Sequence, residues 1–100
     1  MHALTGYLDF RPEERDITID ALRDVTTRSR ADAGCVEYWW SEDVDHPSRF
    51  RFFECWESEQ AFDAHQAQPY EQDFMTNHVS RIVGADANVY TIADRRPVGG

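Results

Sequence analysis

The stretch Phe52-Phe53-Glu54-Cys55-Trp56-Glu57-Ser58-Glu59-Gln60-Ala61-Phe62-Asp63-Ala64-His65 decides the reading of the chain. Its aromatic first half suits a strand that ends at Trp56 or Glu57. Ser58 suits a helix cap, so a short helix is expected over 59–66. Pro69 interrupts that helix and fits the first position of the next one. Ala61 and His65 lie four apart and share a helical face, with Phe62 beside them.

Working outward, Cys35 to Ser41 reads as a strand, and Arg49 to Glu57 as its antiparallel partner. The polar, proline-bearing segment 43–48 is the hairpin loop between them. Even positions Val36, Tyr38, Trp40, Phe50, Phe52 and Trp56 are apolar, with Glu54 among them. Odd positions are mixed, because Trp39, Phe53 and both cysteines interrupt Glu37, Ser41, Arg49, Arg51 and Glu57. One face is therefore expected dry, and the other too aromatic to be left wholly in water. Residues 3–10 alternate as a first strand, with Leu4, Leu8 and Phe10 on one face and Thr5, Tyr7 and Asp9 on the other. Pro12 and Glu13-Glu14 open a helix over 13–32, with Ile19, Leu22 and Val25 on its buried stripe and Ser29 one turn on. Gly34 supplies its stop.

Tyr70, Phe74, His78 and Ile82 fall four apart, so a third helix is expected over 69–83, ending at Gly84. A last strand is expected over 86–93, followed by a tail over 94–100. The order is βαββαβ, with the second helical segment broken. That is the α+β, ferredoxin-like arrangement of a four-stranded antiparallel sheet with helices on one face, here as one domain over 3–93.

Composition narrows the function. A formal net charge of −9 over 100 residues argues against nucleic acid and anionic membrane, because phosphates need a basic face. Thirteen per cent aromatic residues is high for this length and points to a pocket or an interface as well as a core. No apolar run approaches the roughly 20 residues that span a bilayer, and the N-terminus lacks a basic-then-apolar pattern. A cytoplasmic protein is expected, with Cys35 and Cys55 reduced. His2, His46, His65 and His78 show no metal-ligand spacing, so no metal is expected.

Ala33-Gly34-Cys35-Val36-Glu37-Tyr38, Pro47, Glu54-Cys55-Trp56 and His65 together resemble the antibiotic biosynthesis monooxygenase family. The family pattern is a Gly-Cys opening the second strand with a Tyr three residues on, a Glu-x-Trp closing the third, and a His nine residues past that Trp. The resemblance covers about residues 3–93. It implies a dimeric α+β barrel. For some members it implies oxidation of phenolic, anthrone or quinol-like substrates by O2 without a cofactor. The expected partners are thus a small aromatic substrate, O2 and a second copy of the chain. The family also holds isomerases, heme-degrading enzymes and members without known activity, so an isomerase or cyclase, or a non-catalytic binding protein, stays open. Heme degradation is not expected. By count, its Asn, Trp and His positions fall near Thr5, at His65 and at Met75.

Cofactor-free oxygenation needs a base, donors for an anion and a water-poor cavity. His65 is the candidate base, since an imidazole titrates near working pH. The alternative is a histidine that bonds a carbonyl or Glu54 and only anchors its helix. Thr5, Tyr7, Tyr38, Trp56, Phe62, Tyr70, Phe74, Met75 and His78 are the candidate substrate contacts. Each has a plainer use as packing, and His78 reads best as a core histidine with one hydrogen bond.

Overall fold

The computed structural model describes residues 1–99. The elements are β1 (His2–Phe10), α1 (Arg15–Arg30), β2 (Cys35–Glu42), β3 (Arg49–Trp56), α2 (Glu59–Gln66), α3 (Pro69–His78) and β4 (Ile82–Thr91). Single 3₁₀ turns at Pro12–Glu14 and Val79–Arg81 lead into α1 and out of α3. The strands form one antiparallel sheet in the order β2-β3-β1-β4. This is the expected α+β, ferredoxin-like arrangement.

Local chemistry accounts for the elements. Pro12 stands at the entry to the first turn, where its missing N–H costs nothing. Arg28 and Arg30 occupy the last turn of α1, where cations complement the helix dipole. The helix closes on Ala31, earlier than the expected stop, and Gly34 takes φ +82 in the turn that leads into β2, a left-handed conformation that only glycine adopts cheaply. Its carbonyl accepts from Glu57 N at 2.8 Å, which ties the end of α1 to the end of β3. Ser58 caps α2 as expected, its Oγ accepting from Ala61 N at 3.1 Å.

The strand parity holds from Glu37 onward; Cys35, expected on the mixed face, lies opposite Trp56 and so on the dry one. Leu8, Phe10, Trp40 and Phe50 lie on the helix side of the sheet, packed with Leu22, Val25 and Ile19 of α1, Tyr70 and Phe74 of α3, and Ile82. A bulge between Cys35 and Glu37 leaves Val36 unpaired and sets Cys35 opposite Trp56, so both thiols lie at one end of the hairpin, and both are free. The other sheet face carries cross-strand rows such as Trp39–Phe53–Thr5–Asn88.

One boundary differs. The third helix was expected to run to Val83, but α3 stops at His78 and β4 begins at Ile82, four residues before the expected strand. The four-residue spacing of Phe74, His78 and Ile82 imitates a continuing helix. Ile82 keeps its inward place only because β4 pairs it with Phe10 across a second bulge. Residues 92–99 carry no helix or strand, and Gly100 of the expected tail lies outside the described residues.

Candidate active site

The expected base sits in the interior. His65 projects from the last turn of α2 and is 1% exposed. Its ring stacks on Trp56 of β3, with centroids 4.5 Å apart, and meets Tyr38 of β2 edge-on at 6.0 Å. Its Nδ1 lies 2.9 Å from Asp32 Oδ2 and 3.0 Å from the Tyr70 hydroxyl. That hydroxyl donates to the same carboxylate oxygen at 2.5 Å and stands 3.3 Å from Ser29 Oγ. Gln68 Nε2 donates to the other Asp32 oxygen at 3.1 Å. The carboxylate is therefore saturated by donors from α2, from α3 and from the turn between them. That arrangement fixes the imidazole orientation and favours a proton on Nδ1.

The other nitrogen has no such partner. His65 Nε2 faces Glu71 Oε2 at 3.6 Å, too long for a hydrogen bond, and both atoms are buried without one. Burial first, then the carboxylates of Glu54 and Asp32, push the Glu71 pKa up, against the pull of His65. Glu54 lies on the same sheet face and accepts from Trp56 Nε1 at 3.0 Å. Burial raises its pKa from 4.5 to about 7, and that indole bond opposes the rise. Glu54 thus serves the tryptophan and not His65, which rules out one anchoring role expected for the histidine.

The nine expected substrate contacts separate into groups. Tyr38 and Trp56 wall the imidazole. Tyr70, Phe74 and His78 line a groove of about 340 Å3 between α1 and α3, whose α1 side includes Ala21 and Val25. Tyr70 belongs to both, since its ring lines the groove and its hydroxyl reaches Asp32. Phe62 lies on the side of α2 toward β1, its ring 4.8 Å from that of His2. Met75 is on the exposed side of α3, at 40%. Thr5 and Tyr7 do not belong with His65. They point to the opposite sheet face, where Thr5 Oγ1 donates to the Phe52 carbonyl at 2.8 Å and Tyr7 lies 3.8 Å under the Arg49 guanidinium. Strand period two dictates this once Leu8 and Phe10 face the helices. His78 behaves as the plainer reading expected. It is half-buried, and its Nδ1 accepts from Arg81 Nη1 at 2.6 Å. Desolvation, then that guanidinium, holds its pKa below the usual value.

Four members of the cluster were not foreseen: Ser29, Asp32, Gln68 and Glu71. Ser29 was visible as a polar residue on the buried stripe of α1. Asp32 follows it by three positions and reads as ordinary helix-end polarity. Glu71 reads as a routine acid in a first helical turn, and only its contact with His65 marks it out.

The sequence of residues 1–77 matches the family model described as antibiotic biosynthesis monooxygenase. The chain belongs to that family. An uncharacterised protein of Synechocystis sp. is 27% identical over 92 residues, which cover 91% of this chain but 63% of that relative. The chain thus spans somewhat less than two thirds of that relative's length. Two solved structures share the fold. A protein from Deinococcus radiodurans, assigned to antibiotic biosynthesis monooxygenases, superposes with a TM-score of 0.89 at 22% identity over all of both chains. Rv0793 from Mycobacterium tuberculosis gives 0.86 at 23% identity, over 96% of this chain and 98% of its own. At these identities the structures speak for the fold alone, and the family membership rests on the match over 1–77.

Proposed function

We propose that this protein is a cytoplasmic, homodimeric monooxygenase of the antibiotic biosynthesis type, oxidising a phenolic, anthrone or quinol-like substrate with O2 and no cofactor. One observation carries the reading. Tyr70 separates a groove open to solvent from a buried histidine that an aspartate holds in one orientation. A flat substrate in the α1–α3 groove lies against Val25 and Phe74. When Tyr70 swings aside, the Nδ1 side of the pair meets the substrate: His65 passes its Nδ1 proton to the Asp32 oxygen that Tyr70 has released and takes the substrate's proton on Nδ1 in its place. The resulting anion passes one electron to O2, and radical and superoxide combine at carbon to a peroxide. With the proton returned, loss of water leaves a carbonyl. One oxygen atom ends in the product and the other in water. Glu71 lies across Nε2 at 3.6 Å, so a buried carboxyl and not bulk water faces the other side of the ring.

His65→Ala is expected to cut turnover by at least about 10²-fold. Oxygen uptake with a panel of anthrones and hydroquinones, on protein with unchanged circular dichroism, is the measurement. Near-wild-type uptake by the variant retires the base role. The closed state of the imidazole favours a second reading, a binding protein that turns nothing over. Saturable binding of a panel member without oxygen uptake, by wild type, is its signature.

A further inference from the structure

We propose a second ligand site, for a small aromatic carboxylate, in the groove between α1 and the β2 edge of the sheet. The groove measures about 520 Å3, within the range of small-molecule sites, and lies away from the His65 cluster. Its apolar wall is formed by Ile19 and Leu22 of α1 against Trp40 and Phe50 of the sheet. Its rim carries Arg15, Arg23 and Arg30, three of the ten cations of a strongly acidic chain. Glu42 is the single carboxylate in the lining, and it is fully engaged. Arg15 grips it through Nε and Nη2 at 2.8–3.2 Å, and Ser48 N donates to it at 3.0 Å. Arg15 is thereby neutralised and closes one end.

The two remaining guanidiniums are free to take an anion. Arg30 spends Nε on the Tyr38 carbonyl at 2.8 Å and has no carboxylate within ion-pair distance among the described residues. Its terminal nitrogens keep their donors. Arg23 has only Asp20 at 3.9 Å, with both side chains about four-fifths exposed, which is worth little. Of the hydroxyls beside them, those of Thr26 and Thr27 donate back to the Leu22 and Arg23 carbonyls, which leaves Ser41. Two cations on one face of α1, about 10 Å apart along it, above a wall made partly of an indole, match a carboxylate attached to a flat ring system. The guanidiniums take the charge, and Ile19 and Trp40 cover the rings. A neutral aromatic gains only the wall. Inorganic phosphate gains only the rim.

The test is a titration of the 100-residue chain with 1-naphthoate, followed by amide chemical shifts, alongside 1-naphthalenemethanol and inorganic phosphate. Saturable shifts confined to residues 19–30 and 40–42, with the alcohol and phosphate each at least about tenfold weaker, support the site. Arg23→Gln and Arg30→Gln should each weaken naphthoate about tenfold. Arg23 is exposed enough that its variant folds whatever becomes of Arg30. Shifts centred on Tyr70 and Phe74, equal binding of the alcohol, equal binding of phosphate, no saturation, or an Arg23→Gln variant with wild-type affinity would each overturn the proposal. The His65→Ala variant should bind naphthoate like wild type, which separates this site from the proposed oxygenase.

Discussion

Glu54 is a residue on which the chain spends stability. Its carboxyl sits beneath the helices, where charge is poorly solvated, and its pKa rises from 4.5 to about 7. Between those values the folded state binds a proton that the unfolded chain has released. Stability therefore falls as pH rises through that window, by roughly 3 kcal/mol if the whole rise is expressed. Glu71 acts in the same direction, since its pKa is also raised by burial. Glu54→Gln keeps an oxygen for the Trp56 indole and removes the ionisation. Urea melts at pH 5 and pH 7.5 should show wild type losing stability at the higher pH, and the variant losing much less. Equal losses would mean that other groups set the slope. His65, Trp56, Tyr38 and Tyr70 were legible in the sequence because their types are conspicuous at those spacings. Asp32 and Glu71 were not, because an acid near a helix end or in a first turn is ordinary until the partner across the fold is known.

At the scale of elements, one glycine joins the two halves of the site. Gly34 sits in the turn between α1 and β2 and faces α2. A Cβ there meets the Ala61 Cβ at 2.5 Å, in addition to the positive-φ strain. Gly34→Ala should destabilise by about 2–4 kcal/mol, the sum of a left-handed non-glycine residue and a displaced helix. Ala61→Gly in the same chain should recover part of that loss, although alone it costs about 1 kcal/mol of helix propensity. Thermal melts of the two single variants and the double test the coupling; strict additivity would show that α2 does not press on Gly34. The same turn shows how the fold was readable. Gly34 as a turn after α1, Ser58 as a cap and Pro69 as a start each act through local backbone chemistry, which one sequence displays. The end of α3 was not readable, because the apolar four-residue spacing passes from helix into strand without a break. What ends the helix is pairing of Ile82 with Phe10, more than 70 residues upstream, and no local signal encodes that.

At the scale of the whole molecule, the sheet has two different faces. The helices cover one. The other carries Trp39 at 36% exposure beside Phe53, with ring centroids 6.0 Å apart, and continues through Thr5 to Asn88. Tyr90 adds a 49% exposed ring on the edge strand β4. Thr5 and Tyr7, expected at the substrate, belong to this surface. In the proposed homodimer a second copy covers this aromatic area, and a stable pair needs about 800 Å2 from each partner. Phe53 is the residue to disturb. It is half-buried in the single chain, so a charge there is tolerable to a monomer but must be desolvated in the pair. Phe53→Asp should therefore shift the mass measured by light scattering from two chains to one at micromolar concentration, with far-ultraviolet dichroism retained. Trp39→Ala should weaken the pair without abolishing it, because it removes contact area and adds no charge. If wild type runs as one chain at every concentration, the sheet face is not an interface between copies. If Phe53→Asp stays paired, the copies meet elsewhere, and the aromatic row must be explained by contacts within one chain.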